Sequence, residues 1–279
     1  MLKRAYVEIT NVCNLRCDFC PGTKREKRFL PPESFRVLAE RLRPHVSYLY
    51  LHVMGEPLLH PQLAEILRTA AELDIRVCIT TNGTLLAEKA PLLLSAPALY
   101  KLSVSLHSAE GNGAGDLTEY LSAAWDYASQ ASRAGTICAL RLWNIGGGDT
   151  RNGEILSFLE ARLGVPPLTL PQPRLGSWRL GERLYLEQAE RFDWPDLNVP
   201  ETGTKFCLGL RDQIAVLVDG TVVPCCLDHE GDIPLGNLLE QDIEEILNTQ
   251  KARAIYEGFS QGKPPETLCR RCGFARRFG

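Results

Sequence analysis

Cys13, Cys17 and Cys20 fall within eight residues, in "CNLRCDFC". Disulfides use cysteines in pairs, and a structural zinc ion takes four protein ligands, so a triplet suits neither. Three thiolates can instead hold a [4Fe–4S] cluster by three of its irons and leave the fourth open to a small molecule. A second group, Cys207, Cys225, Cys269 and Cys272, has four thiols, enough to saturate either such a cluster or a zinc ion. Cys226 directly follows Cys225; on a strand, adjacent side chains point to opposite faces, so only one of the two can belong to the group. Cys78 and Cys138 lie in apolar runs and read as small buried hydrophobes.

The chain has 279 residues, ten cysteines and a formal net charge of −3. Without a secretory leader pattern, that cysteine content points to a reducing, cytoplasmic setting and to metal or redox chemistry. The near-neutral balance gives no global argument for nucleic acid or a membrane surface. The longest apolar stretch, around "APLLLSAPALY", is too short to span a bilayer.

The elements that must position these cysteines alternate. Strand-like runs at "AYVEIT", "YLYLHV", "RVCITTN", "KLSVSLH" and "TICALRLWN" are separated by helical patterns, and a sixth strand is expected near Leu168 to Leu170 or Arg183 to Leu186. This predicts an α/β chain, a parallel sheet under helices. One strand face is aliphatic (Val7, Ile9, Leu49, Leu51, Val53, Val77, Ile79, Leu102, Val104, Leu106, Leu140, Leu142) and should meet the helices. The other carries Tyr6, Glu8, Thr10, Tyr48, Tyr50, His52, Met54, Thr80, Asn82, Ser103, Ser105, His107, Arg141 and Trp143. A closed eight-stranded barrel fills its interior with branched aliphatics. A polar interior predicts an open, partial (β/α)6 TIM-like barrel whose lumen is the active site. From residue 196 the texture changes to loop, a hairpin in "QIAVLVDGTVVPCC" with a type I′ turn at Asp219-Gly220, one helix in "DIEEILNTQKARAIYEGF", and the closing "CRRC" segment. The expected division is residues 1–195 and 196–279, the second a small β-hairpin-plus-helix module.

The motifs together resemble the radical S-adenosylmethionine (SAM) enzymes. Besides "CNLRCDFC" they include "GEP" after the second strand, "TTNGT" after the third and "SVSLHS" in the fourth. The resemblance implies a [4Fe–4S] cluster on Cys13, Cys17 and Cys20 whose open iron chelates SAM, and reductive cleavage of SAM to a 5′-deoxyadenosyl radical that takes hydrogen from substrate. It places Gly55 and Glu56 along the methionine amino group and Phe19 against the adenine. Thr80, Asn82, Ser103 and Ser105 fall on the ribose and carboxylate side, with Arg141 as a carboxylate or ribose partner or, alternatively, a structural salt bridge. Cys207-x12-Gly220-x4-Cys225 is similar to the start of the SPASM auxiliary-cluster module, and the short stretch after Cys272 resembles its shortened twitch form, with one auxiliary [4Fe–4S] cluster on Cys207, Cys225, Cys269 and Cys272. A zinc site on the same four cysteines is the alternative. Arg270 and Arg271 either tune that cluster or form a solvated pair.

Glu8, His52 and His107 are the lumen groups able to move a proton or orient substrate. Three functions follow. The first is oxidation of a small molecule or peptide, the auxiliary cluster accepting the second electron and a flavodoxin- or ferredoxin-type protein supplying the first. The second is modification of RNA or a nucleotide, supported by the basic "KREKR" run (residues 24–28) beside the cysteine loop. The third is an iron–sulfur electron carrier or scaffold without catalysis.

Overall fold

The computed structural model describes residues 2–112, 116–147 and 150–278. Six parallel strands run in chain order: β1 (Arg4–Val7), β2 (Tyr48–Tyr50), β3 (Arg76–Thr81), β4 (Leu99–Ser105), β5 (Ile137–Ile145) and, past the short β6 (Ser177–Arg179), β7 (Leu184–Glu190). Helices α1 (Pro32–Leu42), α2 (Leu63–Glu72), α3 (Leu86–Leu94), α4 (Leu117–Arg133) and α5 (Asn152–Leu163) cover the outside. The sixth parallel strand is therefore the later of the two expected places. β6 returns antiparallel along β7 and ends the sheet.

Eleven of the twelve outward aliphatics named from sequence are in the main core with these helices. Val53 is the exception: β2 ends at Tyr50, and Val53 packs with Met54, Ala215 and Val223 instead. Punctuation is local and physical. Asp116 caps α4 by accepting from the Thr118 and Glu119 amides, and Gly164 ends α5 in the left-handed conformation at φ 75°.

The C-terminal segment continues the same sheet. β8 (Gln213–Val216) pairs in parallel with β1, and β9 (Thr221–Val223) and β10 (Gly236–Asn237) follow antiparallel. The hairpin turn is not type I′. The Gly220 amide donates to the Leu217 carbonyl at 2.9 Å, and only Gly220, at φ 89°, is left-handed. Val218 and Asp219 thus form a type I turn closed by a glycine, which Asp219 accommodates without a positive φ. The single expected helix is two, α6 (Ile243–Leu247) and α7 (Gln250–Ser260). Thr249 breaks it: its hydroxyl accepts from the Ala252 amide and starts a new helix.

Candidate active site

The three-cysteine loop leaves the carboxyl end of β1 and is tied at its neck. Thr10 and Phe29 form a bridge, and the Asn11 side chain donates to the Glu26 carbonyl at 2.8 Å and accepts from the Arg28 amide at 2.8 Å. Between those ties Cys13 and Cys20 are exposed and Cys17 is half-buried. The Cys20 amide donates to the Cys17 carbonyl at 3.2 Å, and the Leu15 amide to Cys13 Sγ at 3.4 Å.

The "GEP" and "TTNGT" segments are knitted into this loop. Gly55 has φ 77°, and a Cβ there would lie 2.5 Å from the Thr10 carbonyl oxygen and 2.8 Å from that of Val12. Glycine is needed because the exit of β1 fills the space. The Glu56 amide donates to the Val12 carbonyl, and its buried carboxylate accepts from the Leu58 amide, the Thr81 hydroxyl and the Asn82 amide. Burial pushes the Glu56 carboxyl up while those donors pull it back. Asn82 in turn donates to Asn14 at 2.9 Å, which donates to Thr84 at 2.8 Å. Glu56 is thus a node that fixes three loops around the cysteines.

Phe19 sits at the mouth with its ring 4.8 Å from His107, and its carbonyl accepts from Trp194 Nε1 at 3.1 Å. His107 lies on the turn after β4, with Nδ1 placed to donate to the Arg141 carbonyl at 3.1 Å. Burial pushes its pKa down to about 4. Glu8 is fully buried and accepts from Arg25 through both oxygens at 2.7 and 2.8 Å, and from the Met54 and Val218 amides. It is a clamp joining β1, β2, the cysteine loop and the hairpin. His52, half-buried among Tyr6 and Tyr50, has an Nδ1 without a hydrogen-bond partner. Burial, then the nearby Arg141 charge, pushes its pKa down to about 3. Arg141 donates to Glu187 at 3.1 Å and to Thr80 at 3.2 Å, and its guanidinium lies 4.5 Å from the Trp143 ring. Ser103 is buried in register with Thr80, and Ser105 is half-buried in register with Arg141.

The second group gathers as its spacing implies. Cys207, Cys225, Cys269 and Cys272 line one pocket with about 480 Å³ of space free of protein atoms, its mouth included, walled mostly by apolar groups such as Leu227, Ile233, Phe259 and Phe274. Burial and mutual repulsion push the Cys225 thiol up, so thiolates here require a compensating cation. Among the described residues no three histidine, cysteine or carboxylate side chains converge closely enough for a single ion. A tetrahedral zinc would draw its sulfurs to within about 4 Å of one another. The four thiols around one apolar pocket are a donor set that an iron–sulfur cube could take. Cys226 turns the other way, hydrogen-bonded to the Tyr6 hydroxyl on the lumen side.

Several partners carried no signal in the sequence. Arg25 was legible only as part of a charge run. Arg25 engages Glu8 and the His229 carbonyl, Lys27 the Asn11 carbonyl and Arg28 Glu26, so the run holds its own loop. Arg270 and Arg271 point to Glu201, the Pro265 carbonyl and the Val199 carbonyl, stapling the 199–204 segment beside the pocket. Glu187 and Lys101 meet at 3.2 Å across β4 and β7, a contact readable only once β7 is placed.

Comparison with known proteins agrees with this geometry. Residues 7–121 match the radical SAM superfamily model and residues 207–273 the SPASM iron–sulfur cluster-binding domain. The GTP 3′,8-cyclase of Aquifex aeolicus is 34% identical over 116 residues, covering 38% of this chain and 36% of that protein. The tungsten-containing aldehyde ferredoxin oxidoreductase cofactor-modifying protein of Pyrococcus furiosus is 33% identical over 93 residues, 32% of this chain and 26% of that one. The match thus spans about a third of these relatives' own length. Among solved structures, BtrN in complex with AdoMet and 2-DOIA aligns over 98% of this chain and 93% of that one (TM-score 0.59, 19% identity). Streptococcus suis SuiB aligns over 98% and 71% (TM-score 0.66, 14% identity). Both show the fold. No helix among the described residues is long and apolar enough to cross a membrane.

Proposed function

From the premise that the chain carries a radical SAM domain followed by a SPASM iron–sulfur domain, we propose that it is an oxidoreductase that removes hydrogen from a substrate bound in the barrel lumen. Residues 1–195 supply the lumen and residues 196–279 the auxiliary centre. When bound, a [4Fe–4S] cluster on Cys13, Cys17 and Cys20 with SAM supplies hydrogen-atom abstraction, and a second cluster on Cys207, Cys225, Cys269 and Cys272 supplies a one-electron acceptor. The observation that carries the reading is the place of the second group. The four cysteines line one pocket, and Cys226, next to Cys225 in the chain, is hydrogen-bonded to Tyr6 of the polar strand face, which supports a centre linked to the lumen without opening into it.

The chain's own residues divide into two sets. Phe19, Gly55, Glu56 and Asn82 surround the cysteine loop and are the residues we assign to SAM: Phe19 offers a ring face, Gly55 a close backbone and Asn82 an amide. Thr80, Ser103 and Ser105 line the wall below and complete that site, and Arg141, bonded to Thr80 and Glu187, we assign to the substrate side of it. His52 Nδ1 offers a neutral acceptor for a substrate hydroxyl or amine, oriented by the Tyr6 and Tyr50 rings. Glu8 has both carboxylate oxygens engaged within the protein and His107 has Nδ1 engaged, and we assign them to holding the site's shape. Within the basic run at 24–28, Arg25 is committed to Glu8 and the His229 carbonyl, which takes one of its four cations away from an RNA surface.

The test uses electron stoichiometry. The anaerobic holoenzyme is supplied with SAM, limiting one-electron reductant and the metabolite fraction that stimulates 5′-deoxyadenosine release. An oxidation returns one electron for each one used, so 5′-deoxyadenosine exceeds the electrons supplied. A one-to-one ratio with full product formation contradicts an oxidative reaction.

A further inference from the structure

The lumen wall carries more positive charge than its own carboxylates neutralise. Glu187 is 5% exposed, and its two oxygens accept from three cations: Arg141 Nε at 3.1 Å, Lys101 Nζ at 3.2 Å and Arg174 at 2.5 Å. Arg4 adds a fourth, bonded to the neutral Gln213 amide at 3.1 Å and near enough to bear on Tyr6, Tyr50 and Cys78. Glu8 does not offset them, being paired with Arg25, and Glu56 is held by its own donors at the mouth. Arg174 is exposed to solvent and Arg4 is not among the charges that bear on Glu187, so inside the lumen Lys101 and Arg141 share one carboxylate. Lys101 is the most telling. Its side chain is only 18% exposed, and of its three ammonium donors the structure pairs one, with Glu187. Burying a cation whose donors are unmet is costly, and the two buried cations Lys101 and Arg141 outnumber the one carboxylate between them.

We propose that Lys101 and Arg141, bracketed by Glu187, form a receptor for an anionic group of the substrate, a carboxylate or a phosphate. The proposal rests on the reading of the lumen as the substrate chamber. Lys101 lies on the rung that runs through Cys78 and Tyr50 to Tyr6, whereas the cysteine loop and "GEP" lie beyond the carboxyl ends of these strands. Arg141 is in register with Ser105 at the carboxyl end of β4, so it is the deeper Lys101 that assigns the anion to the substrate and not to the methionine carboxylate of SAM. His52 Nδ1, unpartnered beside the Tyr6 and Tyr50 rings, gives the same ligand a second anchor through a hydroxyl or amine. The substrate class is a small anion with such a neutral donor: a hydroxy or amino acid, or a phosphorylated polyol.

Inorganic phosphate and succinate are titrated separately by calorimetry into the anaerobic holoenzyme with SAM, with chloride at matched ionic strength as control. One of them binds in the low-millimolar range or tighter; preference for phosphate identifies a phosphoryl group, and preference for succinate a carboxylate. Lys101→Met weakens that binding by about tenfold or more, and Glu187→Gln, which removes the competing carboxylate, tightens it. Binding of neither anion above chloride overturns the proposal, as does unchanged affinity in a folded Lys101→Met chain. Loss of SAM binding rather than anion binding in Lys101→Met also overturns it, because the cation would then belong to the cofactor. If Lys101→Met fails to fold, Glu187→Gln decides, and no gain in affinity refutes the receptor. Anion binding in an enzyme that fails the electron-stoichiometry test removes the oxidative reading and leaves this one standing.

Discussion

Glu8 and Arg25 show how a single residue's role depends on what closes over it. From its place on the polar strand face Glu8 is a catalytic candidate, but Arg25, seventeen positions on, engages both its oxygens and makes it the joint between the cysteine loop and the sheet. Breaking one side of a buried ion pair leaves an uncompensated charge, typically at a cost of about 3–5 kcal/mol. Arg25→Leu is therefore expected to lower the unfolding midpoint sharply, and the double variant Glu8→Leu/Arg25→Leu to recover part of the loss, as measured by denaturant melts. A double variant no more stable than the single one would count against the pair as the cause. His52 and His107 make a second prediction. Their pKa values are pushed down to about 3 and about 4, against about 6.5 for a free imidazole. Across that window the folded chain binds fewer protons than the unfolded one, so this stability is complete above about pH 6.5 and is withdrawn as pH falls toward the folded values. Both imidazoles are expected to keep neutral NMR shifts at about pH 5.5; a His52 signal titrating near 6.5 would contradict its burial.

At the scale of elements, two glycines set the cysteine geometry. Gly55 admits the exit of β1, and Gly220 admits Asn237 and Leu239 against the β8–β9 turn, where a Cβ would lie 2.4 Å from Asn237 Oδ1. Gly55→Ala adds left-handed strain of about 1–3 kcal/mol to a backbone clash, and is expected to deplete the three-cysteine site of iron. Gly220→Ala disturbs the hairpin that carries Cys225 and is expected to deplete the four-cysteine site. Iron and sulfide counts on the two variants check this; equal loss from both sites would show a global defect instead. These elements also mark what was legible beforehand. Alternation located five strands and their inner and outer faces, because a helix-covered parallel sheet writes its burial into every second residue. Cys225 and Cys226 lie on a turn past the end of β9, so the strand alternation expected of them does not apply, although only Cys225 lines the four-cysteine pocket. Alternation could not choose between the two placements of the sixth strand, where β6 and a 3-10 turn interrupt the pattern, and so Glu187 and its cations stayed invisible. "DG" suggested the wrong turn because dipeptide composition does not report the hydrogen bond from Gly220 to Leu217. Thr249, read as helix interior, acts as a cap because its hydroxyl competes with the helix.

For the whole molecule, sheet continuity matters more than any one contact. β8 pairs with β1, so the auxiliary module is built onto the same strand that delivers the three-cysteine loop. β1 therefore leads into the three-cysteine loop and also pairs with the strand that begins the hairpin before Cys225. The spacing of the cysteines was readable from the sequence; that both groups are tied to one sheet through β1 was not, because it depends on pairing between residues more than two hundred positions apart. The measurement that tests this arrangement most directly is iron analysis with Mössbauer spectroscopy on the anaerobically reconstituted chain, with and without SAM. The account predicts about eight irons in two [4Fe–4S] clusters, one of which gains a distinct iron site on adding SAM while the other is unchanged. About four irons, zinc in the four-cysteine pocket, or two clusters both indifferent to SAM would contradict it.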